Sequence, residues 1–144
     1  MDNISKHITY IEATKSITAI KNDIDNTPTE KQLNNMILLA TAIFEPIREH
    51  FNKKIGISSF FRSSVLNRLI KGSKTSQHLC NNGAAMDIDA DIYGELTNKE
   101  IFDYIKDNLE FDQLLWEYGT EDNPDWVHVS FNKDNNRKQI LIIK

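Results

Sequence analysis

Three short stretches carry residue types that could do chemistry: Ser76-Gln77-His78, then Gly83-Ala84-Ala85-Met86-Asp87, then Asp125-Trp126-Val127-His128-Val129-Ser130. Two histidines and an aspartate, each beside small or β-forming residues, suit a catalytic zinc ion (Zn2+). Three protein ligands leave the fourth tetrahedral position open to water, whose pKa the metal lowers towards neutrality. Cys80 is the single cysteine, so a thiolate cluster and an internal disulfide are both excluded. Any zinc here is held by nitrogen and oxygen.

Such ligands need rigid supports. Residues alternate faces along a strand, so Trp126, His128 and Ser130 share one side while Val127 and Val129 take the other. The same rule puts Ala85, Asp87 and Asp89 on a site face and Met86 and Ile88 on a core face. His78 falls in a polar loop spanning residues 71–82. Upstream, a weakly helical segment covers residues 10–19. A long helix follows, capped by Asn26 or Thr27 with Pro28 in its first turn. Its apolar face is Leu33, Met36, Ile37, Ala40, Ile43, Phe44 and Ile47, and Pro46 should kink or locally break the last turn. A short strand over 55–59 runs into Phe60-Phe61-Arg62-Ser63-Ser64 and a helix over 65–70. Thr97 and Glu100 form a capping box for a helix reaching about Asn108. Strands over 113–118, 126–131 and 139–143 close the chain. Helices first and mostly antiparallel strands later argue an α+β fold.

Composition sets the outer bounds. With 144 residues, 40% of them hydrophobic and 26% charged, the chain is expected to form one domain over 1–144. A net charge of −4 without a basic stripe speaks against a nucleic-acid partner. The N-terminus lacks the basic-then-apolar pattern of a signal peptide, and no apolar run is long enough to span a bilayer. The expectation is synthesis in the cytoplasm, no membrane insertion and a monomer.

Together, Ser-x-His, Gly-x-Ala-x-Asp and Trp-x-His-Val, with the upstream Ser-x-x-Arg-Ser, resemble the zinc D-alanyl-D-alanine carboxypeptidases and their relatives. Those relatives include D-Ala-D-Ala dipeptidases and phage endolysins that cut the L-alanyl-D-glutamate bond of peptidoglycan, on a fold shared with the Hedgehog signalling domain. The resemblance covers roughly residues 8–131. It implies a Hedgehog/DD-peptidase-like fold and a zinc peptidase acting on the stem peptide of bacterial peptidoglycan, as a D,D-carboxypeptidase or an L,D-endopeptidase. A phage or prophage lysin, or a bacterial homologue, is the expected setting, reaching the wall after release or on a virion. The alternative is a non-catalytic domain that keeps the fold; a dipeptidase restricted to free D-Ala-D-Ala is a third reading.

Carried over residue by residue, the resemblance makes His78, Asp87 and His128 the zinc ligands. It makes Asp125, three positions before the last histidine, the general base. Glu117 is the rival for that role, though it reads first as a solvated strand residue or a partner of a metal-bound imidazole. Arg62 corresponds to the arginine that holds substrate and steadies developing negative charge, and Ser76 and Gln77 would line the pocket. Asp89 reads as a loop-fixing carboxylate rather than a fourth ligand. One departure stands out. The family usually has two residues between its first histidine and the glycine, and this chain has four, Leu79-Cys80-Asn81-Asn82. Cys80 is thereby a candidate substitute ligand, against the plainer reading of a loop thiol.

Overall fold

The computed structural model describes residues 1–144. A small hairpin, β1 (Asn3–Ser5) and β2 (Ile8–Thr9), leads into two short helices, α1 (Tyr10–Thr14) and α2 (Ile17–Lys21). The pattern predicts one helix here. Two form because Ser16 adopts an extended conformation and its hydroxyl accepts from Ala19 N–H, which caps a fresh start.

The expected long helix is α3 (Glu30–Leu39), one wide π-helical turn over Ala40–Phe44, and α4 (Glu45–Phe51). Its cap is Thr29, not Asn26 or Thr27. The Thr29 hydroxyl accepts from Gln32 N–H while the Gln32 side chain accepts from Thr29 N–H. Pro46 has no N–H, and its ring crowds the carbonyl of Ala42, four residues back. The helix relieves this before the proline by widening, with Glu45 N–H donating to the Ala40 carbonyl, rather than kinking after it.

The rest of the chain adds β3 (Gly56–Ser59), α5 (Ser64–Leu69), β4 (Ala84–Asp89), α6 (Asn98–Asn108), β5 (Gln113–Glu117), β6 (Trp126–Phe131) and β7 (Gln139–Ile143). The last five strands form one sheet in the order β3-β4-β6-β5-β7. All pairs are antiparallel except β5 with β7, which run parallel. The architecture is α+β. Asp87 lies opposite His128 and Met86 opposite Val129; across β6, Leu115 faces His128 and Glu117 faces Trp126. Residues directly opposite share a sheet face. One face therefore presents Asp87, His128, Trp126 and Glu117, while the other buries Met86, Ile88, Leu114, Val127 and Val129 completely. That apolar face packs on α3 and α6 through Met36, Leu39, Ile101 and Ile105. No helix is long and apolar enough to cross a membrane.

Glu45, at the start of α4, ties the N-terminal hairpin to this core. Its carboxylate accepts from the Ser5 hydroxyl at 2.6 Å and from His7 N–H at 3.0 Å, and it meets His7 Nδ1 at 2.6 Å. Burial would raise its pKa, but the bonds from Ser5 and His7 outweigh that and lower it. A depressed carboxylate stabilises the fold above its unfolded-state pKa, and that contribution disappears as pH falls through the folded value. Urea unfolding of wild type and Glu45→Gln should therefore differ most near neutrality and converge in acid. A difference that persists unchanged to low pH would mean that Glu45 acts through packing alone.

Candidate metal centre

Four elements meet at the polar face of the sheet. His78 sits in a 3-10 turn, Gln77–Leu79, whose first N–H groups are capped by the Ser76 hydroxyl. The ring is 3% exposed, and its Nδ1 lies 2.7 Å from the Phe60 carbonyl. A carbonyl can only accept, so Nδ1 carries the proton and Nε2 offers its lone pair to the centre. That Nε2 is 3.5 Å from Asp87 Oδ2, and His128 Nδ1 is 3.0 Å from Asp87 Oδ1. Donor atoms of His78, Asp87 and His128 all fall within 4.8 Å of one another. Ligands on a tetrahedral ion with bonds of about 2.0–2.1 Å stand roughly 3.3 Å apart. The set fits a divalent cation of that size, with two neutral nitrogens, one anionic oxygen and a side left open.

Electrostatics favour the same reading. Burial opposes a charge on Asp87, yet without metal the hydrogen bonds and positive charge that His128 and His78 supply when protonated hold its pKa well below the usual carboxylate range, and a bound cation would take over that role. It remains an anionic ligand through the acid range. The second carboxylate of the centre is Glu117, whose Oε1 is 3.8 Å from His128 Nδ1. Burial, and then the charge on Asp87, push its pKa up. The charges of His128 and His78, when protonated, partly offset this, and the indole N–H of Trp126, directly across the strand pair, adds to the offset without closing a full hydrogen bond.

Asp125 does not join the centre. It is exposed, and its backbone N–H donates to the Glu117 carbonyl while its own carbonyl accepts from Asn98. In extended chain an odd spacing reverses the face, so Asp125 has the parity of Val127 and Val129, away from His128. The carboxylate that the motif spacing assigns to Asp125 is supplied in space by Glu117. Asp89 accepts from Asp91 N–H and from Asn98, fixing the turn after β4.

Arg62 lies in the segment after β3, next to the turn that carries His78, and borders a cavity of about 690 Å³. Its backbone N–H donates to the His78 carbonyl and its Nη1 donates to Asn67 Oδ1 at 3.0 Å. Burial lowers its pKa, offset by the negative charges of Asp87 and Glu117. A side chain at Gly72 would collide with both Asn67 and Arg62, so glycine keeps that guanidinium in place. Ser76 and Gln77 line a cavity of about 590 Å³ together with His128.

The two extra residues after His78 bulge sideways, not into the centre. Asn35 on α3 donates to the Cys80 carbonyl at 2.8 Å, and Gln32 donates to Asn81 Oδ1 at 3.0 Å. Cys80 and Gly83 take positive φ values, 58° and 80°, to turn the loop. The Cys80 thiol points into the apolar core, where burial pushes its pKa up to about 12. A protonated core thiol is no metal ligand.

Asp112 and Arg137 also border the 590 Å³ cavity, and the motifs do not contain them. The sequence signal was slight: an acid directly after Phe111, at the start of an apolar strand, needs a partner if buried.

With this geometry in view, comparison with known proteins is informative. The family model Peptidase M15 matches residues 6–130. The chain belongs to the Peptidase M15 family. No curated protein gives a significant match.

Titration calorimetry of metal-free protein with Zn2+ should show one ion bound per chain, and the bound ion should raise the melting temperature. Asp87→Ala and His128→Ala should each abolish that binding, while Cys80→Ala should bind as wild type does. Loss of binding in the Cys80 variant would reinstate the thiol as a ligand.

Proposed function

We propose that this protein is a zinc-dependent peptidase that hydrolyses a peptide bond in the stem peptide of bacterial peptidoglycan. The observation that supports this most is the pairing of an open His78-Asp87-His128 donor set with a half-buried carboxylate, Glu117, in a member of the Peptidase M15 family. When bound, the ion would polarise the scissile carbonyl and acidify a water. His78, Asp87 and His128 would hold it, and their ring and carboxylate orientations are set by the Phe60 carbonyl and by β4–β6 pairing.

Glu117 takes the proton from the attacking water and returns it to the leaving amine. A carboxylate whose basicity is raised by burial and by Asp87 suits both halves of that transfer. Arg62, next to the turn that carries His78, steadies negative charge as it develops on the substrate. Ser76 and Gln77 line the groove through which the peptide passes. The D,D-carboxypeptidase and L,D-endopeptidase activities share this machinery, so the bond cut depends on the flanking walls. The biological setting we favour is a phage or prophage lysin, or a bacterial homologue. It would be made in the cytoplasm and reach the wall after release.

Mass spectrometry of defined muropeptides digested by the zinc-loaded protein tests the proposal and identifies the bond from the fragments. Glu117→Gln should lower kcat by about 10²–10⁴-fold with zinc content retained. Asp125→Ala should stay within a few-fold of wild type. The reverse pattern would return the base to Asp125, and no hydrolysis of any muropeptide by the wild type would leave a non-catalytic domain.

A further inference from the structure

The cavity on the Gln77 side contains a second built cluster that the proposed chemistry does not use. Asp112 is 3% exposed and fully engaged. Its Oδ1 accepts from Arg137 N–H at 3.1 Å and from Nε at 2.7 Å, and its Oδ2 accepts from Nη2 at 3.1 Å and from Gln77 Nε2 at 2.8 Å. A carboxylate has about four acceptor sites, so Asp112 has none left for a ligand. Burial opposes its charge, but the bonds from Arg137 more than compensate and keep it ionised.

The free groups of the cluster point the other way. The Arg137 side chain is half exposed and its Nη1 makes no bond within the protein. Its loop is held in place, since Asn132 N–H donates to Asn136, Lys138 N–H to the Phe111 carbonyl and Gln139 N–H to the Asp112 carbonyl. Gln77, oriented by the same aspartate, keeps Oε1 buried and without a donor, an acceptor that suits a peptide N–H beside the carboxylate rather than the carboxylate itself. Arg137 is the only cation around this cavity and shares it with His128. It lies beyond residues 6–130, the part that carries the family match.

We infer that Arg137 is a specificity-determining residue that binds a carboxylate of the substrate on the Gln77 side of the scissile bond, with Asp112 as its positioning residue. The inference rests on the peptidase reading above. Asp87 and Glu117 together balance the charge of a divalent ion, so the centre has no surplus positive charge for a substrate carboxylate, which gains from a further fixed cation beside it. Arg62 borders a separate cavity of about 690 Å³, and Arg137 offers such a cation in the cavity it shares with His128. A planar guanidinium already clamped by Asp112 loses little freedom on binding, which a lysine at this position would not match.

Two stem peptides differing only in whether the carboxylate nearest the scissile bond is free or amidated provide the test. The wild type should favour the acid by about 10- to 100-fold in kcat/KM, mostly through KM, the scale of a charge-assisted hydrogen bond. Arg137→Gln should bring the acid-to-amide ratio close to one, Asp112→Asn should do the same through a loosened Arg137, and Arg137→Lys should restore part of the preference. Calorimetry of both peptides with Glu117→Gln, alone and combined with Arg137→Gln, reads the same ratio without turnover. If the wild type cleaves nothing, the peptidase reading fails while the binding ratio still decides on Arg137. A ratio near one in the parent protein, a ratio that Arg137→Gln leaves unchanged, or no binding of either peptide would each overturn the inference.

Discussion

The antiparallel register between β4 and β6 is the constraint on which the site depends. It sets Asp87 directly across from His128, and a slip of β4 by one residue would turn Asp87 into the core and bring Met86 out. That slip is prohibitive, because five apolar residues from three strands are fully buried on the reverse face. The hydrophobic effect, with no interest in metal or peptide, thus fixes the relative position of two ligands.

The third ligand comes from outside the sheet and is held by a different force. His78 lies in a turn whose backbone carbonyl accepts from Arg62 N–H and whose ring donates to Phe60. The segment following β3 therefore aims the imidazole and positions the arginine in one stroke. This also explains why a longer loop after His78 is tolerated. The additional residues are absorbed against Gln32 and Asn35 of α3, downstream of the two bonds that orient the ring.

Around the centre, charge is arranged asymmetrically. Asp87 is held strongly acidic by two imidazoles, whereas Glu117, a strand away, is made more basic by burial and by Asp87 itself. Two carboxylates in one cleft are thereby given opposite acidities by environment, which under the proposed function suits one to be a ligand and the other a proton acceptor. The Asp112–Arg137 pair follows another logic, in which one charge is consumed internally so that the other is presented in a fixed orientation.

The amino-acid sequence by itself determined the strand faces of β4 and β6, the Thr97–Glu100 cap, the α+β class and the trio His78, Asp87 and His128. Each follows from local rules: a two-residue side-chain period, hydroxyl capping, and residue types a metal accepts. It left open features that depend on partners distant in the chain. Asp125 stands close to His128 in sequence but on the reverse parity, while Glu117 comes alongside only because β5 pairs with β6. Cys80 is a loop residue by composition and a core residue by packing. Asp112 and Arg137 meet across 25 positions. Proximity along the chain is set by covalent spacing, whereas proximity in the site is set by strand pairing and burial, and those forces act only once the chain has folded.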